Sequence, residues 1–215
     1  ARLATACGPL QLQAALGLAD GRRAYDGQSS LGQPLQTDSD IRHLRAQVTA
    51  LLPLAADAGP ASAWQAGLAV GQARLWRHIA TAGTVQGYPE RFDQTLLSAV
   101  LQHRRPLGAG LVLQARVELG GGPPGRMRLQ LPIADAARLR LGSSRLLQAE
   151  LTLLASAPAA AAVPAPGWQL GLQWRQQRTA AGPAATLWRG PLPVGGAAQP
   201  AFRQTDLGLV AGWRW

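Results

Sequence analysis

The chain has 215 residues, 47% hydrophobic and only 15% charged, with 25 glycines, 16 prolines and a net charge of +10. All 21 basic residues are arginine, set against 11 acidic ones. This apolar content excludes a disordered chain, and a mean hydropathy of −0.01 argues against a bundle of membrane helices. The longest uncharged stretch, Leu151 to Trp174, is broken by Pro158, Pro164 and Pro166.

The first clear periodic segment is Leu10 to Ala19, where Leu10, Leu12, Ala14, Leu16 and Leu18 alternate with Gln11, Gln13 and Gly17. Period two predicts a strand with one apolar face. The period returns at Leu44–Leu54, at Trp64–Val70, and at Leu107–Leu119, whose other face carries Gln114, Arg116 and Glu118. It returns again at Leu147–Ala155, at Trp168–Trp174 and at Leu207–Trp215. Asp93–Arg105 fits either a strand, with Leu97, Ala99 and Leu101 on one face, or an amphipathic helix capped by Asp93. It is read as a strand because it sits between two strands and ends in a tight turn, Arg105-Pro106-Leu107-Gly108. Most of these eight segments run to about ten residues, roughly twice the usual strand and the length a tilted strand needs to cross a bilayer.

The connections alternate in kind. Pro53–Ser62, Arg104–Gly108 and Ser156–Gly167 are short and rich in Pro, Ala or Gly. Asp20–Asp40, His78–Asp93, Gly120–Ser144 and Arg178–Ala201 are longer and more polar, and are expected to be loops. Short turns at one end and long loops at the other predict an antiparallel up-and-down transmembrane β-barrel over residues 1–215 as one domain. Both termini then lie at the short-turn end. Met127, Leu129, Leu131 and Ile133 alternate with Arg126, Arg128 and Gln130, which predicts a hairpin extending from the third long loop. Eight strands are preferred, or ten if that hairpin joins the wall.

On this topology Trp64, Trp168, Trp213 and Trp215 fall near the short-turn end, and Trp76, Trp174 and Trp188 near the long-loop end. Aromatic girdles at two membrane interfaces predict such sorting, whereas tryptophans filling a soluble barrel do not. The soluble alternative is a lipocalin-like barrel that turns its Leu and Ala stripes inward.

The final segment, FRQTDLGLVAGWRW, resembles the carboxy-terminal strand of bacterial outer-membrane β-barrel proteins. It ends in an aromatic residue, Trp215, preceded at every second position by Trp213, Ala211, Leu209 and Leu207. The motif is short, but the alternation behind it covers most of the chain. The resemblance implies a Gram-negative outer-membrane location with long loops outside and both termini periplasmic, a cleaved leader, and recognition of the last strand by the barrel-assembly machinery. It implies no particular activity. The net charge departs from the family, many of whose members are acidic or near neutral, so the usual surface chemistry of such barrels does not transfer.

Most arginines lie in or beside the long loops. Arg22, Arg23, Arg74, Arg77, Arg126, Arg128, Arg138 and Arg140 are the candidate anion-binding residues, because guanidinium makes bidentate contacts to phosphate. Lipopolysaccharide or another partner macromolecule of the envelope is the expected ligand; the alternative is that the charge merely keeps the loops solvated. The basic residues are neither gathered on a helix nor interleaved with stacking aromatics, which argues against nucleic acid. Inward-facing Arg45, Arg116, Glu118, Glu150, Arg175 and Asp206 are expected to pair inside the barrel, with Arg116–Glu150 and Arg45–Glu118 as candidate pairs. Such filling argues against the competing reading as a small channel.

No catalytic constellation is complete. Asp38, Asp40 and His43 supply part of an omptin-like set without a second Asp-His couple, and no His-Ser pairing suits a lipid-modifying hydrolase. Ser98 and His103 are an odd number of residues apart on one strand and so face opposite ways. One cysteine, Cys7, and three histidines leave little material for a disulfide or a metal site, so no cofactor is expected. The string Ala4-Thr5-Ala6-Cys7 only faintly matches a lipoprotein processing site, because no apolar run precedes it.

Overall fold

The computed structural model describes residues 2–7, 9–28, 34–54, 63–83, 86–155 and 167–214. It is all-β, an antiparallel sheet curled into a half-barrel. The strands are β1 (Arg2–Cys7), β2 (Leu10–Gln28), β3 (Pro34–Pro53), β4 (Ala63–Ile79), β5 (Tyr88–Gly108) and β6 (Leu111–Gly122). There follow β7 (Arg126–Leu129), β8 (Ala137–Arg140), β9 (Ser144–Ala155), β10 (Gly167–Thr179), β11 (Ala185–Arg189), β12 (Leu192–Ala197) and β13 (Phe202–Arg214). The main path runs β1-β2-β3-β4-β5-β6-β9-β10-β13, so each long strand pairs with its neighbour in an up-and-down order. No helix among the described residues is long and apolar enough to cross a membrane, which says nothing of strands.

Asp93–Arg105 lies wholly within β5, so the strand reading holds over the helix. Two expectations are corrected. The tight turn falls later than Arg105–Gly108: β5 runs on past Pro106 with an irregularity before Gly108, and the chain reverses at Ala109-Gly110. Ala109 (φ 49°) and Gly110 (φ 72°) both adopt the left-handed conformation that two-residue hairpins require. The four long linkers are not loops either. β2 and β3 continue as paired strands from Asp20↔Arg42 to Gln28↔Pro34, and β4 and β5 to Ile79↔Tyr88.

The third and fourth linkers extend the wall in the same way. β7 and β8 continue the β6–β9 hairpin in its own register, bridged by a bond from Leu141 N to Gly125 O of 3.0 Å. β11 and β12 follow β10 and β13 as a separate two-stranded sheet, reached through Gly182 N to Gln199 O at 2.9 Å and offset by one residue as far as Leu187. Pro123 and Pro124 interrupt the first extension because they lack the N–H a ladder needs. At that break the backbones press close: a Cβ on Gly122 would lie 1.9 Å from Thr95 O. The other two short linkers fall largely outside the described residues.

Along β6 and β9 the buried side chains are Gln114, Arg116, Glu118, Ser144, Leu146, Gln148, Glu150, Thr152 and Leu154, while Val117, Leu119 and Leu151 are exposed. The concave face of these strands is therefore mostly polar and the convex face apolar, with Leu207 and Leu209 on β13 78% and 79% exposed. Side chains meet across the curl. Arg116 donates to Glu118 (2.7 Å), to Gln13 on β2 (2.9 Å) and to Thr49 on β3 (3.0 Å). Arg45 on β3 donates to Gln148 on β9 (2.8 Å) and lies 3.7 Å from Glu118, which also accepts from Gln47. Arg45–Glu118 therefore pairs; Glu150 stands opposite Arg116 in register, yet Arg116 takes Glu118. At the ends of the path, Arg23 of β2 and Asp206 of β13 form an ion pair of 2.7 Å.

At the hairpin end this inside-out pattern reverses. Phe92, Met127, Leu129, Leu139, Leu141 and Leu187 pack together on the inner side as a buried apolar cluster. Their strand neighbours Arg126, Arg128, Arg138 and Arg140 point outward and are exposed.

Candidate functional site

Two groups of side chains carry chemistry: an arginine array on the convex face and a cavity on the concave face. On the convex face, Arg126 stands directly opposite Arg140, and Arg128 opposite Arg138. β7 also lies against β5, setting Arg128 opposite Arg91 and Arg126 opposite Asp93. Like charges directly opposite on a sheet are unfavourable by roughly 0.2–1 kcal/mol a pair, so nothing in local folding favours this arrangement. A second array, Arg145, Arg178 and Arg203, occupies one row of β9, β10 and β13.

Carboxylates answer part of the charge. Arg22 bonds Asp40 (3.1 Å) and Arg42 bonds Asp20 (2.7 Å), each across the β2–β3 ladder. Asp93 accepts from Arg74 (2.5 Å) and Arg91 (3.0 Å). Partial burial opposes its ionisation, but those two guanidiniums outweigh it and hold the carboxyl below its ordinary value. Arg74 also lies over Trp76, 5.5 Å from the ring centroid.

Of the eight predicted anion-binding residues, Arg22, Arg74, Arg126, Arg128, Arg138 and Arg140 share the convex face. Arg23 and Arg77 do not join them, because they stand on concave-facing positions, bound to Asp206 and Glu90. The periodicity contained that signal: each is an odd number of residues from Arg22 or Arg74 on its own strand.

On the concave face at the hairpin end is a cavity of about 1300 Å³. Its charged lining is Arg22, Arg23, Arg45, Arg77, Arg175 and Arg203 with His43, against Asp20, Glu90 and Asp206. Its apolar part is made by Phe92, Met127, Leu129, Leu131, Leu139 and Phe202. Burial raises the Glu90 carboxyl above its ordinary value, opposed by Arg77 and by a hydrogen bond with Tyr88. Arg175 is 7% exposed; it donates to Gln177 (2.7 Å), and its buried Nε has no hydrogen-bond partner. The sequence reading places Arg45, Arg175 and Asp206 inside but misses the cavity, since nothing in it tells which way the Met127–Leu131 stripe faces.

The partial omptin-like set does not assemble. Asp40 points to the convex face, where it accepts from Arg22, while His43 lines the cavity. Ser98 is buried and donates to Glu118 (3.3 Å), whereas His103 stacks on Trp64 on the other face, centroids 4.4 Å apart. Trp64, Trp168 and Trp188 are exposed, and Trp76 and Trp174 are half-buried on convex positions. Trp168 stands opposite Trp213 in register; Trp215 lies outside the described residues. No protein-family model and no curated protein matches the chain.

Proposed function

We propose that the chain is a non-enzymatic outer-membrane β-barrel whose arginine-rich outer end contacts lipopolysaccharide or another anionic envelope macromolecule. The observation that carries this reading is the reversal of faces. A sheet with Arg116, Glu118 and Glu150 buried inside and Leu68, Leu119, Leu207 and Leu209 bare outside suits hydrocarbon around its middle. In water the same sheet exposes an apolar belt that a soluble lipocalin-like barrel would bury.

The contacts across the curl support a wall of eight long strands, with β1 a short additional strand on the edge of β2. β2 meets β6 and β3 meets β9, each four places along the path, as opposite strands of an eight-stranded barrel do. Closure then sets β13 beside β2 at the Arg23–Asp206 pair. A barrel of that size holds side chains and no channel. Trp64, Trp76, Trp168, Trp174, Trp213 and Trp215 supply its interface aromatics, and the last strand its signal to the assembly machinery.

Just beyond the apolar belt comes the arginine array, the level at which an outer leaflet carries its phosphates. Opposed pairs such as Arg126–Arg140 and Arg128–Arg138 are stabilised by an anion bound between them. Mild-detergent extraction tests the reading by comparing gel mobility of boiled and unboiled protein, together with outer-membrane fractionation. A faster unboiled band in the outer-membrane fraction is expected; a protein soluble without detergent and with no shift would overturn it. Replacing Arg126, Arg128, Arg138 and Arg140 together by Gln is expected to weaken retention on immobilised lipopolysaccharide and leave the gel shift intact.

A further inference from the structure

The arginine array uses the convex face, and leaves the concave cavity without a role. Of the six arginines that line it, Arg22 is paired with Asp40, Arg23 with Asp206 and Arg77 with Glu90. Arg45 donates to Gln148 and Gln47 and shares Glu118 with Arg116, which holds that carboxylate by two bonds. Arg175 is 7% exposed; Asp206 stands opposite it in register but is paired with Arg23, and among the described residues no carboxylate lies within ion-pair distance of Arg175. Its one described side-chain bond goes to Gln177, although guanidinium has five N–H donors. A buried cation so placed is costly unless a counter-ion joins it.

Phe92, Met127, Leu129 and Leu139 supply the apolar part of the lining. Gly17, Gly21 and Gly208 line it too, at exposed positions where a Cβ meets nothing within 4 Å. We propose that the cavity binds an amphipathic organic anion, its carboxylate seated on Arg175 and Arg45 and its apolar body laid against Phe92, Met127 and Leu129. Large concave pockets with an apolar lining and few convergent polar groups are where such ligands bind. The residues that seat the ligand are concave-facing, so the site does not require lipid around the convex face.

Folded full-length protein would be titrated with naphthalene-2-carboxylate and with its neutral isostere 2-naphthamide, binding being read by saturation-transfer NMR. The carboxylate is expected to bind about tenfold or more tightly than the amide, the scale of one charge-assisted contact. Arg175→Gln is expected to erase that preference, Gly17→Glu, which sets a competing carboxylate opposite Arg45 in register, to erase it as well, and Gln72→Ala on the convex face to change nothing. Should Arg175→Gln fail to fold, Gly17→Glu carries the test, since a Cβ there meets nothing within 4 Å. Equal affinity for acid and amide, a preference that survives Gly17→Glu, or a loss caused by Gln72→Ala instead of Arg175→Gln would each overturn the proposal. The gel-shift result is a separate readout, so failure here is distinguishable from failure of the membrane reading.

Discussion

From Leu96 to Leu101, strand β5 buries Leu96, Ser98 and Val100 and exposes Leu97, Ala99 and Leu101; from Glu90 to Asp93 it buries Glu90 and Phe92 and turns Arg91 and Asp93 outward. β6 and its continuation β7 change more sharply, from Arg116 and Glu118 inside with Val117 and Leu119 outside to Met127 and Leu129 inside with Arg126 and Arg128 outside. The hairpin end is thus built as a water-soluble protein is, and β6 and β9 in the middle are largely its inverse. On β5 the strand runs unbroken through the boundary; between β6 and β7 the Pro123-Pro124 break marks it, and the inward positions pass from even to odd numbers. What holds each region together differs accordingly, charge-assisted hydrogen bonds with a small Leu51-Ala69-Val100 cluster in one and a larger apolar cluster in the other.

The largest break is expected at Glu118. Glu118→Gln leaves Arg116 and Arg45 buried without their shared counter-charge, at a cost of about 3–5 kcal/mol in urea titration of the lipid-refolded protein. Next comes the apolar cluster: Leu139→Ala is expected to cost about 2–5 kcal/mol locally, read as protease cleavage within residues 123–143 while the gel shift persists. Leu172→Arg, on the exposed convex face of β10, is expected to cost about 2–4 kcal/mol in a bilayer, whereas a water-facing site would give under about 0.5 kcal/mol.

A smaller effect is one of pH. Asp93 is held low in the folded chain, so its contribution is complete above its ordinary value of 3.8 and is lost as pH falls through the depressed folded value. Glu90, raised by burial, has the opposite sign: its contribution is complete below 4.5 and declines as pH rises through the raised value. Hydrogen exchange of β7 is expected to quicken below about pH 3.8 in the native chain, and Asp93→Asn to remove that dependence. The smallest change is Arg128→Gln, which relieves an opposed pair and is expected to stabilise by roughly 0.2–1 kcal/mol in the absence of a bound anion.

Where one face is Leu, Ala and Val without exception, as in Leu111–Leu119, period two makes strand and faces legible from residues alone. The eight candidate arginines group by their place in the linkers, and only the strands there divide them between two faces. The hairpin end was not legible, because both faces there carry charge or glycine, as in Asp20-Gly21-Arg22-Arg23, and strands of that kind look like polar loops. Pairing partners such as Asp40 for Arg22 and Asp93 for Arg74 lie across the ladder, and register is a tertiary quantity. The cavity needed more still: its lining draws on strands from β2 to β13 and on the chain between β12 and β13, which only the folded chain brings together.

The central claim is that the convex face of the middle region meets hydrocarbon. Single cysteines placed in turn at 168–178 of β10, in a Cys7→Ser background and spin-labelled in liposomes, test it through accessibility to oxygen and to a water-soluble nickel chelate. The account predicts a period of two, with Leu170, Leu172 and Trp174 reached by oxygen and shielded from nickel, and a crossover to nickel by Arg178. Equal nickel access along the even-numbered positions, or no period at all, would contradict it.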